Sequence, residues 1–168
     1  MTRAVLSVGS NLGDRLGFLQ LAVDGFSAEL VAVSPVYETA PWGVLDQGDF
    51  LNAVLIVQSD RESPEGWLAR GQELERRAGR VRTVHWGPRT LDVDVVHVPG
   101  VSSDDPHLTL PHPGAGSRAT VLIPWLDCEP DAVLPEHGRV SDLVAALSAE
   151  ERAGVRLRDD LTLSAGQV

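Results

Sequence analysis

Residues 79–96 read GRVRTVHWGPRTLDVDVV, and the last part of that stretch decides how the rest of the chain is placed. Leu91, Val93 and Val95 alternate with Asp92, Asp94 and Val96. Side chains two apart on a strand share a face, so the spacing predicts a strand that projects Asp92 and Asp94 from one side. A D-x-D pair alone equally suits a solvated edge strand, the commoner setting for charged residues. The upstream run changes the weighting. Arg76, Arg77, Arg80, Arg82 and Arg89 stand with no acidic residue between Glu75 and Asp92, in a chain whose formal charge is -10. Cations just ahead of paired anions suit a ligand carrying both phosphate and metal. Mg²⁺ takes a few carboxylates with phosphate oxygens and water, while guanidinium forks neutralise the remaining phosphate charge. A magnesium nucleoside triphosphate is the expected ligand. Trp86, Gly87 and Pro88 make a turn-prone hinge between the two sets, so the arginines are expected on a loop able to close over phosphate.

The 168 residues, 43% of them apolar, suffice for one domain with a sizeable core, read here as residues 1–168. No apolar run approaches the roughly 20 residues that span a bilayer, so no membrane partner is expected. The start, MTRAVLSVGSNLGD, reads as a first strand and turn and lacks the apolar region and cleavage site of a signal peptide. A single cysteine, Cys128, excludes an internal disulfide and agrees with a reducing, cytoplasmic compartment; with no motif around it, it is read as packing. The acidic balance argues against nucleic acid as a partner. All 14 basic residues are arginine, so the chain has no lysine. That excludes a Walker P-loop, a protein-kinase strand lysine and Schiff-base chemistry. Phosphate chemistry must then run on arginine, metal and histidine. The five histidines are spaced unlike any closed zinc site.

Outward from the D-x-D strand, RAVLSVG at residues 3–9 is a short apolar run ended by a glycine, a buried strand. Ser10 to Asp14 is a turn, after which Leu12, Leu16, Leu19, Val23 and Phe26 keep helical spacing. LVAVSPVYET at 30–39 reads as a strand broken by Pro35, at an edge or a bulge, and FLNAVLIVQ at 50–58 as its antiparallel neighbour. Phe50 and Asn52 share a face of that neighbour. They suit a flat heterocycle, stacked by one and read along its edge by the other, although a core aromatic beside an edge filler is the commoner reading of such a pair. Ser63-Pro64-Glu65 opens a second helix, with Trp67, Gly71, Leu74 and Ala78 as its apolar stripe, Gln72 and Glu75 flanking it, and Gly79 as its stop. The order strand, helix, strand, strand, helix, strand predicts an α+β fold, a ferredoxin-like β-α-β-β-α-β sandwich with C-terminal additions. Both helices are expected on one sheet face, leaving the other free for ligands, with Phe50 and Asn52 alongside Asp92 and Asp94. Residues 101–106 read as a polar turn, 141–147 as a short helix and 155–163 as a late strand.

The block His85-Trp86-Gly87-Pro88-Arg89-Thr90-Leu91-Asp92-Val93-Asp94 resembles the signature of the 6-hydroxymethyl-7,8-dihydropterin pyrophosphokinase family, which moves a pyrophosphoryl group from ATP onto a pterin alcohol in folate synthesis. Trp, Gly-Pro-Arg and D-x-D in fixed order are far more specific than any one of them. Three further blocks extend the likeness from about Val5 to Pro135: the Ser10–Asp14 turn; Thr39-Ala40-Pro41-Trp42-Gly43 with Asp46-Gln47 and Phe50-Leu51-Asn52; and Leu108 to Pro124. The resemblance implies that the backbone of Thr39 and Ala40 and the Asn52 amide read the pterin edge, with Phe50 on one ring face and Trp42 walling the pocket. It implies that Asp92 and Asp94 hold two Mg²⁺ ions, that Arg80 and Arg89 close on the phosphates as catalytic groups, and that Gln72, Glu75, Arg82, Trp86, Thr109, His112 and Arg118 contact ATP. ATP and a pterin alcohol are the implied partners of a monomer.

One position departs from the family pattern. Thr120 stands where an aromatic is usual, whose ring would cover the pterin face opposite Phe50; losing such a stack costs ~0.5 to 1.5 kcal/mol beyond area burial. Gly114-Ala115-Gly116 is expected to be a small, flexible connector. Two other classes stay open: a non-catalytic domain that binds ATP and magnesium without consuming ATP, and a metal-dependent phosphohydrolase that releases phosphate without a pterin acceptor. The Thr39-to-Asn52 block favours the transferase.

Overall fold

The computed structural model describes residues 2–40, 48–79 and 90–165. Along the chain these form β1 (Thr2–Ser10), α1 (Arg15–Gly25), β2 (Leu30–Val33), β3 (Tyr37–Thr39), β4 (Phe50–Ser59), α2 (Pro64–Arg77) and β5 (Asp92–His97). There follow β6 (Ser103–Asp105), β7 (Leu108–Leu110), α3 (Ala119–Cys128), β8 (Val133–Leu134), β9 (Gly138–Arg139), α4 (Val140–Ala145), α5 (Ala149–Ala153) and β10 (Arg156–Leu157). The helix signals act where the sequence puts them. Asp14 caps α1 by accepting from Gly17 N–H, Ser63 caps α2 by accepting from Gly66 N–H, and Gly79 ends α2 at a φ of 72° that other residues rarely adopt.

The main sheet runs β10-β3-β4-β1-β5, with β2 also on β4, and every pairing is antiparallel. β3 takes the Phe50–Asn52 end of β4 and β2 the Leu55–Val57 end. The break between them falls at Pro35, which has no N–H to give a ladder, while Ser34 Oγ accepts from Val54 N–H at 2.9 Å. β1 lies between β4 and β5, so α1 and α2 each carry the chain past a strand laid down elsewhere in the sequence.

Period two divides the sheet into two faces. Ala4, Leu6 and Val8 of β1, Ala53, Leu55 and Val57 of β4, and Val93 and Val95 of β5 pack with Leu19, Val23 and Phe26 from the α1 side and Trp67 and Leu74 of α2. Trp67 and Phe26 are fully buried. Each such side chain is worth roughly 1.5–3 kcal/mol in burial. Arg70 lies 4.9 Å from the Phe26 ring centroid and 5.4 Å from that of Trp67, its stem closing the core's edge.

The opposite face is not left free, contrary to the expectation from the first six elements. Val5, Val54, Ile56 and Val96 are covered by Val121, Leu122 and Trp125 of α3. Among the described residues, this cluster does not extend to the end of the sheet where β4 begins and β5 starts. Other differences are local. Leu12 precedes α1 and is 48% exposed, so it does not join the apolar stripe. Residues 103–105 form β6, paired with β7, where a turn is expected. The late strand shrinks to Arg156–Leu157, which pairs with Tyr37 and Glu38. Gly114 to Gly116 is a closed turn in which Ala115 is buried and Arg118 N–H donates to Gly114 C=O at 3.1 Å. Among the described residues no helix is long and apolar enough to cross a membrane.

Candidate functional site

Residues directly opposite in an antiparallel pair share a face. Gly9 stands opposite Asn52 on one side and opposite Asp92 on the other, and Ser7 opposite Val54 and Asp94. Asn52 is opposite Tyr37, and Phe50 opposite Thr39. One row across the sheet is therefore Tyr37, Asn52, Gly9, Asp92, and Asp94 lies one step further along beside Ser7. All belong to the face that α3 covers only in part. Phe50, Asp92 and Asp94 are half-buried there.

Asn52 is held in one orientation. Its Nδ2 donates to Thr39 Oγ1 at 2.8 Å, with both residues buried, so its Oδ1 is turned toward Gly9. Ala40, the next residue along, is exposed. The start of β4 is fixed from outside: Asn11 Nδ2 donates to Gly48 C=O at 3.1 Å and Arg15 donates to Asp49 C=O at 3.0 Å. Arg15 also meets Glu38 at 2.6 Å, and Arg158 meets the same carboxylate at 3.2 Å. The Arg15 hydrogen bond holds the Glu38 carboxyl below its ordinary value, against the opposing effect of burial.

On the acidic side, Ser7, Asp94, Val96, His112 and Arg118 line one small cleft. His112 is placed by its backbone N–H, which donates to Val96 C=O at 2.8 Å and so ties the turn to β5. Gly114 N–H donates to His112 Nδ1 at 3.2 Å, so the neutral ring carries its proton on Nε2. Burial lowers the His112 pKa and the Arg118 charge lowers it further, while Asp92 works the other way. Arg118 precedes α3 and is exposed, and Thr109 is half-buried with its hydroxyl donating to Asp105 C=O at 3.0 Å. Thr120 stands in the first turn of α3, half-buried.

Gln72 and Glu75 separate. Gln72 is exposed on α2, whereas Glu75 is 4% exposed and its Oε2 accepts from Val93 N–H at 2.9 Å. Val93 lies between the two aspartates, so this carboxylate grips the strand that carries them. Close approach makes the grip possible: a Cβ on Gly71 would come within 2.8 Å of Val93 Cγ1. Trp42 and the rest of residues 41–47 lie outside the described residues, as do Arg80, Arg82, Trp86 and Arg89 of the arginine loop. Cys128 packs in α3, its thiol pushed up to about 12 by burial and by Asp127 and Glu129, as befits a residue read as filling space.

Sequence reasoning passed over Ser7 and Gly9. Their signal is faint but present: in RAVLSVG, residues 3–9, the even positions Ala4, Leu6 and Val8 are apolar, while Ser7 and Gly9 on the other face are polar or bare. What they stand opposite depends on the pairing register, which no local pattern contains.

The family model described as 7,8-dihydro-6-hydroxymethylpterin-pyrophosphokinase matches residues 5–130. The chain is 52% identical to the 2-amino-4-hydroxy-6-hydroxymethyldihydropteridine pyrophosphokinase of Mycobacterium leprae, over 97% of this chain and 92% of that protein. It is 50% identical to the enzyme of the same name from Mycobacterium tuberculosis, over 94% and 90%, and 38% identical to that of Pseudomonas aeruginosa, over 88% and 93%. Among solved structures, Plasmodium falciparum HPPK-DHPS with pteroate superposes with a TM-score of 0.68 at 12% identity, covering 94% of this chain; the chain spans 47% of that longer one, and the likeness speaks for the fold alone. With a family model matched from the first strand into the segment after α3, and relatives alike over nearly their whole length, this chain belongs to the 7,8-dihydro-6-hydroxymethylpterin-pyrophosphokinase family.

Proposed function

We propose that this chain transfers the pyrophosphoryl group of ATP to 6-hydroxymethyl-7,8-dihydropterin, giving AMP and the pterin diphosphate. The observation that carries the reading is the row Asn52, Gly9, Asp92. It sets an oriented amide suited to a heterocycle edge two strands from a carboxylate pair suited to metal and phosphate, on one face of the sheet. Strands lie ~4.8 Å apart, so the two are on the order of 10 Å from each other, a span that a pterin and its hydroxymethyl group can bridge.

The pterin edge would be read by Asn52 Oδ1 and the backbone of Thr39 and Ala40, with Phe50 on a ring face and Trp42 at the wall. Asp92 and Asp94 are the proposed holders of two Mg²⁺ ions. Among the described residues no cluster of three or more His, Cys, Asp or Glu could hold a metal, so two carboxylates would share the ions with water and phosphate oxygens, the donor set that Mg²⁺ favours. Bound magnesium supplies neutralisation of phosphate charge and polarisation of the attacked phosphorus. His112, with its proton on Nε2, and Arg118, Thr109 and Gln72 are the proposed ATP contacts, together with Arg82 and Trp86, and Arg80 and Arg89 are proposed to close on the phosphates. Glu75 is a further proposed ATP contact, and its bond to Val93 supports a second part for it in holding the strand of Asp92 and Asp94.

The sheet order, with β1 and β4 central and α1 and α2 on one face, supports a ferredoxin-like core in which β2 and β3 together take the place of one strand. Two cores sharing that sheet support one domain over 1–168, and every proposed group comes from one chain, which suits a monomer.

The test is product identity. AMP formed only when the pterin alcohol is present supports the assignment. Phosphate or pyrophosphate released from ATP without it would favour a phosphohydrolase, and ATP bound without turnover a non-catalytic domain.

A further inference from the structure

Gly9 carries no side chain at the centre of the row that joins the two halves of the site, and it is buried. A Cβ built there would stand 3.1 Å from Asn52 Oδ1 and 3.5 Å from Phe50 Cδ1. The first distance is tighter than a carbon beside an amide oxygen ordinarily accepts, so either the Asn52 amide or β1 has to shift by a few tenths of an ångström. The amide has little room to shift, because its other end is bound to Thr39 Oγ1 inside the fold. The backbone of Gly9 is ordinary strand, paired on both sides, so no left-handed conformation accounts for a glycine here. What the position requires is the empty volume.

We propose that Gly9 is a positioning residue for the pterin: its bare Cα is the floor that lets the Asn52 amide settle at the depth and angle needed to read the heterocycle. The inference rests on the functional reading above, and it adds a residue that sets substrate fit without donating to the substrate. Specificity follows from the same geometry. A site built to pair with donors and acceptors loses affinity steeply when those groups are misplaced, whereas a purely apolar pocket would yield. The acidic side needs no such floor, because Asp92 and Asp94 extend from the neighbouring strand.

The experiment is calorimetric titration of 6-hydroxymethylpterin into wild type and Gly9→Ala, each saturated with a non-hydrolysable ATP analogue and Mg²⁺, with separate titration of the analogue and a thermal melt. Gly9→Ala is expected to weaken pterin binding on the order of tenfold to a hundredfold. The analogue should bind as in wild type. In an Asn52→Ala background the same substitution should cost little further, since the amide it displaces is gone. Equal pterin affinity in wild type and Gly9→Ala overturns the inference, and so does an equal loss of pterin and analogue together with a lowered melting temperature, which would make Gly9 a fold residue only. Failure of wild type itself to bind the pterin would instead sink the functional reading, so the two failures are distinguishable.

Discussion

Replacing Glu75 by alanine tests whether α2 holds the D-x-D strand in place. In the native chain the carboxylate is 4% exposed and accepts Val93 N–H at 2.9 Å. Among the described residues β5 pairs with β1 alone, and this N–H is taken by Glu75 of α2 rather than by a neighbouring strand. A hydrogen bond to a charged group is worth about 1.5–3 kcal/mol net, and an N–H left buried and unpaired costs about 1–3 kcal/mol. These overlap, and together with the lost side-chain burial they predict a destabilisation of about 3 kcal/mol. With an m-value of about 2 kcal/mol/M, the urea midpoint of Glu75→Ala should fall by roughly 1.5 M. Glu75→Gln keeps an acceptor oxygen but not the charge, and should lose about 1 kcal/mol. Because Val93 lies between Asp92 and Asp94, Glu75→Ala should also weaken binding of the magnesium complex of a non-hydrolysable ATP analogue, and Glu75→Gln should restore most of it. An alanine variant within about 0.5 kcal/mol of wild type, with unchanged analogue affinity, would refute the assignment, since neighbouring water or backbone would then be serving Val93 equally well.

Asp94→Asn should abolish magnesium-dependent AMP formation while the melting curve stays close to wild type; near-normal turnover in that variant would remove Asp94 from the metal assignment. Thr120→Phe, at the start of α3, should tighten pterin binding by roughly 0.5–1.5 kcal/mol if a missing ring is what separates this chain from the family pattern, and calorimetry giving unchanged or weaker affinity would count against that placement. Burial holds the His97 pKa below 6.5, with Glu129 opposing, and burial followed by the Arg118 charge does the same for His112. The unfolded chain therefore takes up these protons before the folded one does, so stability is full above pH 6.5 and is lost as pH falls through the lowered native values. Urea midpoints measured downward from about pH 7.5 should show that decline, and His97→Leu should flatten it; an identical acid limb in the variant would exclude His97 as a contributor.

Local pattern was enough for much of this. Alternation in Leu91 to Val96 put Asp92 and Asp94 on one side of a strand, capping chemistry at Ser63-Pro64 and Gly79 bounded α2, and Pro35 marked the break that separates β2 from β3. These signals are short-range, because caps, turns and strand alternation are set within a few residues of themselves. Four ordered blocks of residues were likewise sufficient for the family, since each block is more specific than any residue within it.

Tertiary structure decided the rest. Only pairing register could set Gly9 between Asn52 and Asp92, because register is a relation between segments 43 residues apart (Gly9 and Asn52) that neither segment encodes alone. Only packing could send Glu75 inward to Val93 while leaving Gln72, three positions before it on the same helix, in solvent, because that choice follows from how closely α2 rests on β5. And only the fold could show that α3 packs on Val5, Val54, Ile56 and Val96 of the second sheet face: an apolar helix announces that it will be buried, not what it will bury.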